Sequence, residues 1–187
     1  MARITNLYAF VVPGWRDVKV ARVDLTHVDA SGAARMVDVS DKAVSARVAV
    51  ATGVLRTTQE VLALLRRDGL PKGDALATAR IAGIMGAKRT PDLIPLCHPI
   101  ALSGVTLDLQ LPDGGEPEIR ITATVRTTER TGVEMEALTA VAMAGLTLHD
   151  MIKAVDPAAV LDRVRVERKD GGKTGSWIRP CAPGDGA

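Results

Sequence analysis

Apolar residues recur every second position at the start of "VSARVAVATGVL", where Val44, Ala46, Val48 and Val50 alternate with smaller or polar neighbours. That period predicts a strand over 44–55. Thr57 and Glu60 then have capping-box spacing ahead of "VLALLRR", and Gly69 stands where a C-terminal cap belongs, so a short helix follows. A second helix is predicted from about Asp74 to Lys88. Its glycines weaken it in isolation, so it requires a closely packed neighbour. Two more alternating runs come next, Val105, Leu107, Leu109, Leu111 and Ile119, Ile121, Ala123, Val125, joined by "PDGGEP" as a hairpin turn. A long helix over 132–154 places Leu138, Val141, Leu148, Ile152 and Val155 on one stripe. A strand through Val164 and Val166, then the glycine-rich "KDGGKTGS", complete the pattern. The order strand, two helices, strand, strand, helix, strand is the split βαβ plan of a ferredoxin-like α+β sandwich with a doubled first crossover helix.

A chain of 187 residues fits one domain with a sizeable core. Residues 1–25 differ in composition, holding Tyr8, Phe10 and Trp15, and read as an N-terminal extension. The catalytic-sized α+β domain is expected over 26–180, with 181–187 as a tail. No apolar run approaches the ~18 residues of a membrane span, and the N-terminus lacks the pattern of a signal peptide. Cys97 and Cys181 form no disulfide framework, and free thiols in a reducing cytoplasm are expected. A net charge of +2 and four aromatics in all argue against a nucleic-acid binder, which needs basic patches or stacking platforms.

Several motifs carry chemistry. "GGKTG" lacks the earlier glycine of a P-loop, because Glu167 stands there, and no helix follows it. Its lysine, Lys173, is left as an anion-reaching side chain on a glycine loop or as part of an ordinary turn. Cys97 and His98, between Pro95 and Pro99, lack the partners of a zinc site. As neighbours in an extended segment they point apart, so they do not make a nucleophile and base. On the long helix, Glu136, Thr139, Met143, Leu146, Asp150 and Lys153 fall within about 60° of one line opposite the core stripe. Asp150 and Lys153, spaced i, i+3, can touch. Met143 and Leu146 make this stripe too apolar for solvent, so a ligand or another subunit is expected to cover it. Glu136 and Asp150 lie about 21 Å apart at 1.5 Å per residue, too far for one small ligand. If both act, they serve two copies of a site shared between subunits. Lys72, Lys88, Arg89, Arg47 and Lys173 are basic residues in loops, helix ends and the first strand, a set suited to a polyphosphate.

The stretches "THVDASGAARMVDVSDKA", "KGDALATARIAGIMGAKRTPDLIPLCHP", "RTGVEMEALTAVAMAGLTLHDMIKAVD" and "KDGGKTGSW" resemble the cyclic pyranopterin monophosphate synthase family of molybdenum-cofactor biosynthesis. The resemblance implies a ferredoxin-like fold, a hexamer built as a trimer of dimers, and sites at the dimer interface. It implies conversion of 3′,8-cyclo-7,8-dihydro-GTP to cyclic pyranopterin monophosphate with release of pyrophosphate. By position it assigns Asp150, Lys153 and Lys72 to catalysis. It assigns Leu96, Cys97, His98, Glu134, Met135, Glu136, Arg47 and Lys173 to substrate binding, and gives Cys97 no nucleophilic role. Arg130 stands where the family commonly has a lysine and supplies that charge. Nothing calls for a metal site or a redox cofactor; magnesium on the triphosphate is compatible with the reading. Two rivals predict different outcomes: a nucleotide-sensing module returns its ligand unchanged, and a thiol hydrolase makes Cys97 indispensable.

Overall fold

The computed structural model describes residues 31–67, 74–173 and 175–180. The chain divides into two units, Met1–Arg35 and Met36–Ala187, and every element below belongs to the second. The expected extension 1–25 and tail 181–187, together with Gly69, Lys72 and Cys181, lie outside the described residues.

The elements are β1 (Ser45–Arg56), α1 (Gln59–Arg66), α2 (Ala75–Lys88), a single turn α3 (Thr90–Leu93), β2 (Gly104–Gln110), β3 (Glu118–Glu129), α4 (Glu134–Ile152), β4 (Val160–Asp170) and β5 (Trp177–Ile178). The strands form one sheet in the order β2-β3-β1-β4-β5, every pairing antiparallel. This is the expected α+β sandwich, with α1 and α2 both in the first crossover. The two alternating runs pair in register, Val105 with Val125, Leu107 with Ala123 and Leu109 with Ile121. Ile121, Val125, Leu148 and Ile152 are fully buried in one core with residues of α1, α2 and α4. Burying each such side chain contributes roughly 1.5–3 kcal/mol.

The core face of β1 is its small one. Ala49, Ala51 and Leu55 have no exposure and Gly53 is buried, whereas Val44 is half exposed and Val48 and Val50 only partly covered. The reason is close packing: a Cβ on Gly53 would lie 2.6 Å from Val141 Cγ1 of α4. The same device joins α2 to α4. A Cβ on Gly83 would meet the Ala140 carbonyl oxygen at 2.8 Å, and one on Gly86 would meet Met143 Cγ at 2.5 Å. The glycines that weaken α2 alone thus permit the contact that holds it. They also correct one expectation. Thr139 and Met143 of the outer α4 stripe are covered by α2 of the same chain, and Glu136 is buried with them. Leu146, Asp150 and Lys153, near the other end, stay exposed.

The cap of α1 is Thr58, whose hydroxyl accepts the Val61 amide at 3.3 Å. Thr57, expected in that role, instead donates its hydroxyl to Asp156 at 2.8 Å and ties the helix entry to the turn after α4. Asp74 caps α2 by accepting the Ala77 amide at 2.9 Å. The β1–β4 register shifts between Val50 and Ala51 and between Thr52 and Val54. β5 was not foreseen; in it Trp177 lies under the Arg179 guanidinium, 5.6 Å from the ring centre.

Candidate functional site

The N-terminal end of α4 is where three segments meet. Pro91 sits in the first turn of α3, where a missing amide costs nothing, and the chain then runs through Pro95 and Pro99 in irregular form. The Cys97 amide donates to the Ile94 carbonyl at 3.0 Å, fixing the bend. His98 Nε2 lies 2.7 Å from the Val37 carbonyl oxygen. A carbonyl only accepts, so Nε2 carries the proton and donates. Cys97 is a free, half-buried thiol, pushed up in pKa by burial and then by the negative field of Glu136. The two neighbours therefore engage different partners. Leu96 is half-buried beside them.

Glu136 is 3% exposed in the first turn of α4. Burial pushes its carboxyl up to about 7, its own backbone amide works against that, and Glu134 adds a smaller raising effect. Met135 is 37% exposed, between two carboxylates turned to different surroundings. Glu134 pairs with Lys169 Nζ at 3.3 Å.

That ion pair borders a pocket of about 150 Å³ lined by Lys42, Arg47, Arg130, Glu134, Lys169 and Asp170 among others. Four cations from four separate segments converge here: the stretch before β1, β1 itself, the β3–α4 connection, and β4. Arg47 is fixed by donating from Nε to the Glu129 carbonyl at 3.2 Å and from Nη2 to the Arg130 carbonyl at 3.1 Å. The glycine loop is built around it. Gly171 and Gly172 have φ of 95° and 75°, and side chains there would strike the Ala46 carbonyl and Arg47 Nη1 respectively. A larger cleft of about 810 Å³ adjoins, shared by Lys42 and Arg47 and reaching Asp41, Ser45, Gly172 and Lys173. Ser45 Oγ is buried with no hydrogen-bond partner among the described residues. It is a hydroxyl able to donate to an anion.

At the opposite end of α4, Lys153 Nζ sits 2.7 Å from Asp150 Oδ1, the side chains 54% and 57% exposed. The sequence-derived residues therefore fall into two groups. Leu96, Cys97, His98, Glu134, Met135, Glu136, Arg47 and Lys173 gather around the N-terminal end, and Asp150 with Lys153 stands about 21 Å away along the helix. Lys72 lies outside the described residues. Lys42 and Lys169 line the pocket without having been singled out from the sequence. Lys169 is paired opposite Ala49 on the helix side of the sheet, a placement that bulges in β4 hide from simple alternation. Among the described residues no three His, Cys, Asp or Glu side chains group as metal ligands, and no helix is long and apolar enough to cross a membrane.

A pocket gathering so many cations suits a small, highly charged anion. Comparison with known proteins narrows the class. The MoaC family profile matches residues 36–172, and the chain belongs to the MoaC family. It is 64% identical over 156 residues to the cyclic pyranopterin monophosphate synthase of Nocardioides sp., covering 83% of this chain and 96% of that protein. It is 66% identical over 155 residues to the synthase of that name from Streptomyces coelicolor, covering 83% and 89%. Against cyclic pyranopterin monophosphate synthase 2 of Mycobacterium tuberculosis it is 62% identical over 156 residues, covering 83% and 92%.

Proposed function

We propose that this chain is a cyclic pyranopterin monophosphate synthase, a lyase of molybdenum-cofactor biosynthesis. It converts 3′,8-cyclo-7,8-dihydro-GTP to cyclic pyranopterin monophosphate and releases pyrophosphate. The observation that carries this beyond family membership is the convergence of Lys42, Arg47, Arg130 and Lys169 on one pocket. Expelling pyrophosphate requires fixed positive charge where the leaving group develops its own. Lys173, which lines the adjoining cleft, extends that set, and the family resemblance adds Lys72 to it.

Remodelling the ring system is proton-transfer work. Lys153 is assigned as general acid and Asp150 as the group that orients it and shuttles a proton; the reverse assignment uses the same pair. Glu136, Met135 and Leu96–His98 form the wall against the purine-derived part. No resident cofactor enters the scheme, and magnesium is a companion of the triphosphate.

The distance along α4 supports a site shared between subunits. The cation pocket and the Asp150–Lys153 pair lie at opposite ends of one helix, so one substrate meets both only if a second copy presents its α4 C-terminal end. The reading is therefore a dimer with two shared sites, three such dimers forming a hexamer in the cytoplasm. Exposed Ile81, Met85 and Leu146, at 59%, 48% and 56%, are apolar surface for such contacts.

The test is incubation with the cyclised GTP precursor, with pyrophosphate and the pterin product measured. Substrate recovered unchanged would favour a sensing module. Mixing then examines the shared site. Arg47→Ala and Asp150→Ala should each be inactive, while subunit exchange between them should restore roughly a quarter of wild-type activity, because half the dimers carry one intact site of two. No recovery on verified exchange would place both groups in one chain's site.

A further inference from the structure

We infer that Arg130 is a positioning residue for the cation pocket, holding Lys42 in place through the backbone carbonyls of Ser40 and Lys42. The inference rests on the reading of that pocket as the pyrophosphate seat.

Lys42 belongs to an irregular segment that precedes β1. Its internal bonds are short-range. Asp38 accepts from the Ser40 amide at 2.8 Å and the Ser40 hydroxyl at 2.6 Å, and the Lys42 amide donates to the Val39 carbonyl at 3.0 Å. These bonds shape a turn without docking it. At one end His98 grips the Val37 carbonyl, and at the other β1 begins only at Ser45. Between those anchors Arg130 reaches over. Its Nη1 donates to the Ser40 carbonyl and, at 3.1 Å, to the Lys42 carbonyl. Nη1 bears two hydrogens, so one nitrogen satisfies both acceptors.

The backbone of Arg130 works in the other direction, since its carbonyl accepts from Arg47 Nη2 at 3.1 Å. One residue thus fixes the backbone of one pocket cation and the guanidinium of another. Lys42 and Arg47 line both the small pocket and the larger cleft. A lysine on an unanchored turn loses backbone and side-chain freedom when it grips an anion. Anchoring the turn beforehand removes the backbone part of that cost. Through Nη1 the Arg130 guanidinium is tied to the turn that carries Lys42, so its removal frees that turn.

The test uses inorganic pyrophosphate and calorimetry on the full chain with Arg130→Met, Lys42→Met, the double variant, Arg130→Lys and Arg47→Ala. Arg130→Met and Lys42→Met are each expected to weaken binding roughly tenfold. The double variant should match Lys42→Met alone to about twofold, because Arg130 acts through Lys42. Arg130→Lys, which keeps a donor for the same carbonyls, should restore most of the affinity even if Arg130→Met folds poorly. In turnover, Arg130→Met should raise KM and leave kcat within about twofold, a split that general loss of structure does not produce. Multiplying losses in the double variant would mean Arg130 touches pyrophosphate itself and would overturn the positioning role. So would unchanged binding in Arg130→Met while Arg47→Ala binds weakly. If Arg47→Ala also binds normally, the pyrophosphate seat itself is wrong, and the inference falls with it.

Discussion

The two ends of α4 began as equivalents and came out opposite. Glu136 and Asp150 lie on one helical line, each an acidic residue, yet the first is 3% exposed with its carboxyl raised to about 7, and the second keeps a 57% exposed side chain against Lys153. Helical periodicity treats them alike; what separates them is reach. The glycine face of α2 and the proline-rich stretch after it lie over the first turns of α4 and leave the last turns open. One end is thus completed by its own chain. The other leaves Leu146, Asp150 and Lys153 uncovered by its own chain.

The strongest way to break this comparison is to remove the exposed pair. Asp150→Ala and Lys153→Ala should each lower turnover by roughly 10²–10⁴. An exposed i, i+3 pair stabilises a helix by only about 0.2–0.5 kcal/mol, so unfolding midpoints should hardly move. Because the two groups act together, the double variant should be little worse than the weaker single one. A single variant within about threefold of wild type, far short of that range, would remove its residue from the chemistry.

The buried end answers to pH. Below about pH 4.5 Glu136 is protonated in both the folded and unfolded chain and carries no penalty. Between there and about 7 the unfolded chain ionises while the buried carboxyl keeps its proton, so stability falls as pH rises. Above that window the full cost remains, on the order of 3 kcal/mol at about 1.4 kcal/mol per pKa unit. Glu136→Gln should therefore be more stable than wild type in urea at pH 8, with the difference closing toward pH 4.5. A constant offset across that range would mean the carboxylate is not desolvated.

The smallest effect is expected at Cys97. Its thiol is held protonated by burial and by Glu136, so it is a poor nucleophile at neutral pH. Cys97→Ser should keep a substantial part of the activity, and mass spectrometry should find no adduct on Cys97 during turnover. A trapped adduct would make it a hydrolase nucleophile.

The order of the four long strands and three longer helices was legible because each carries a clean period, whereas the single turn α3 and the two-residue β5 are too short to carry one. What the pattern misassigned were matters of neighbours. Thr57 and Thr58 both satisfy a capping rule, and only Asp156, ninety-nine residues away, decides which hydroxyl is free to cap. Val48 and Val50 look like the core face of β1, but α4 passes too close for them and the side of Ala49, Ala51 and Gly53 is buried instead. Lys169 escaped notice because a register shift in β4 turns it to the helix side. Lys173, on the glycine loop, was readable as an anion contact; that the same glycines clear space for Arg47 was not.

The lone ring on the edge strand has a consequence for anyone observing this molecule by light. Trp177 is the one aromatic side chain among the described residues, 37% exposed beside Arg179 and on the last strand of the sheet. The core of Ala, Val, Leu and Ile is spectroscopically silent. With Trp15 replaced by a non-fluorescent residue, indole emission therefore reports when β5 peels away, and the melting of α4 against the sheet has to be followed by its amides.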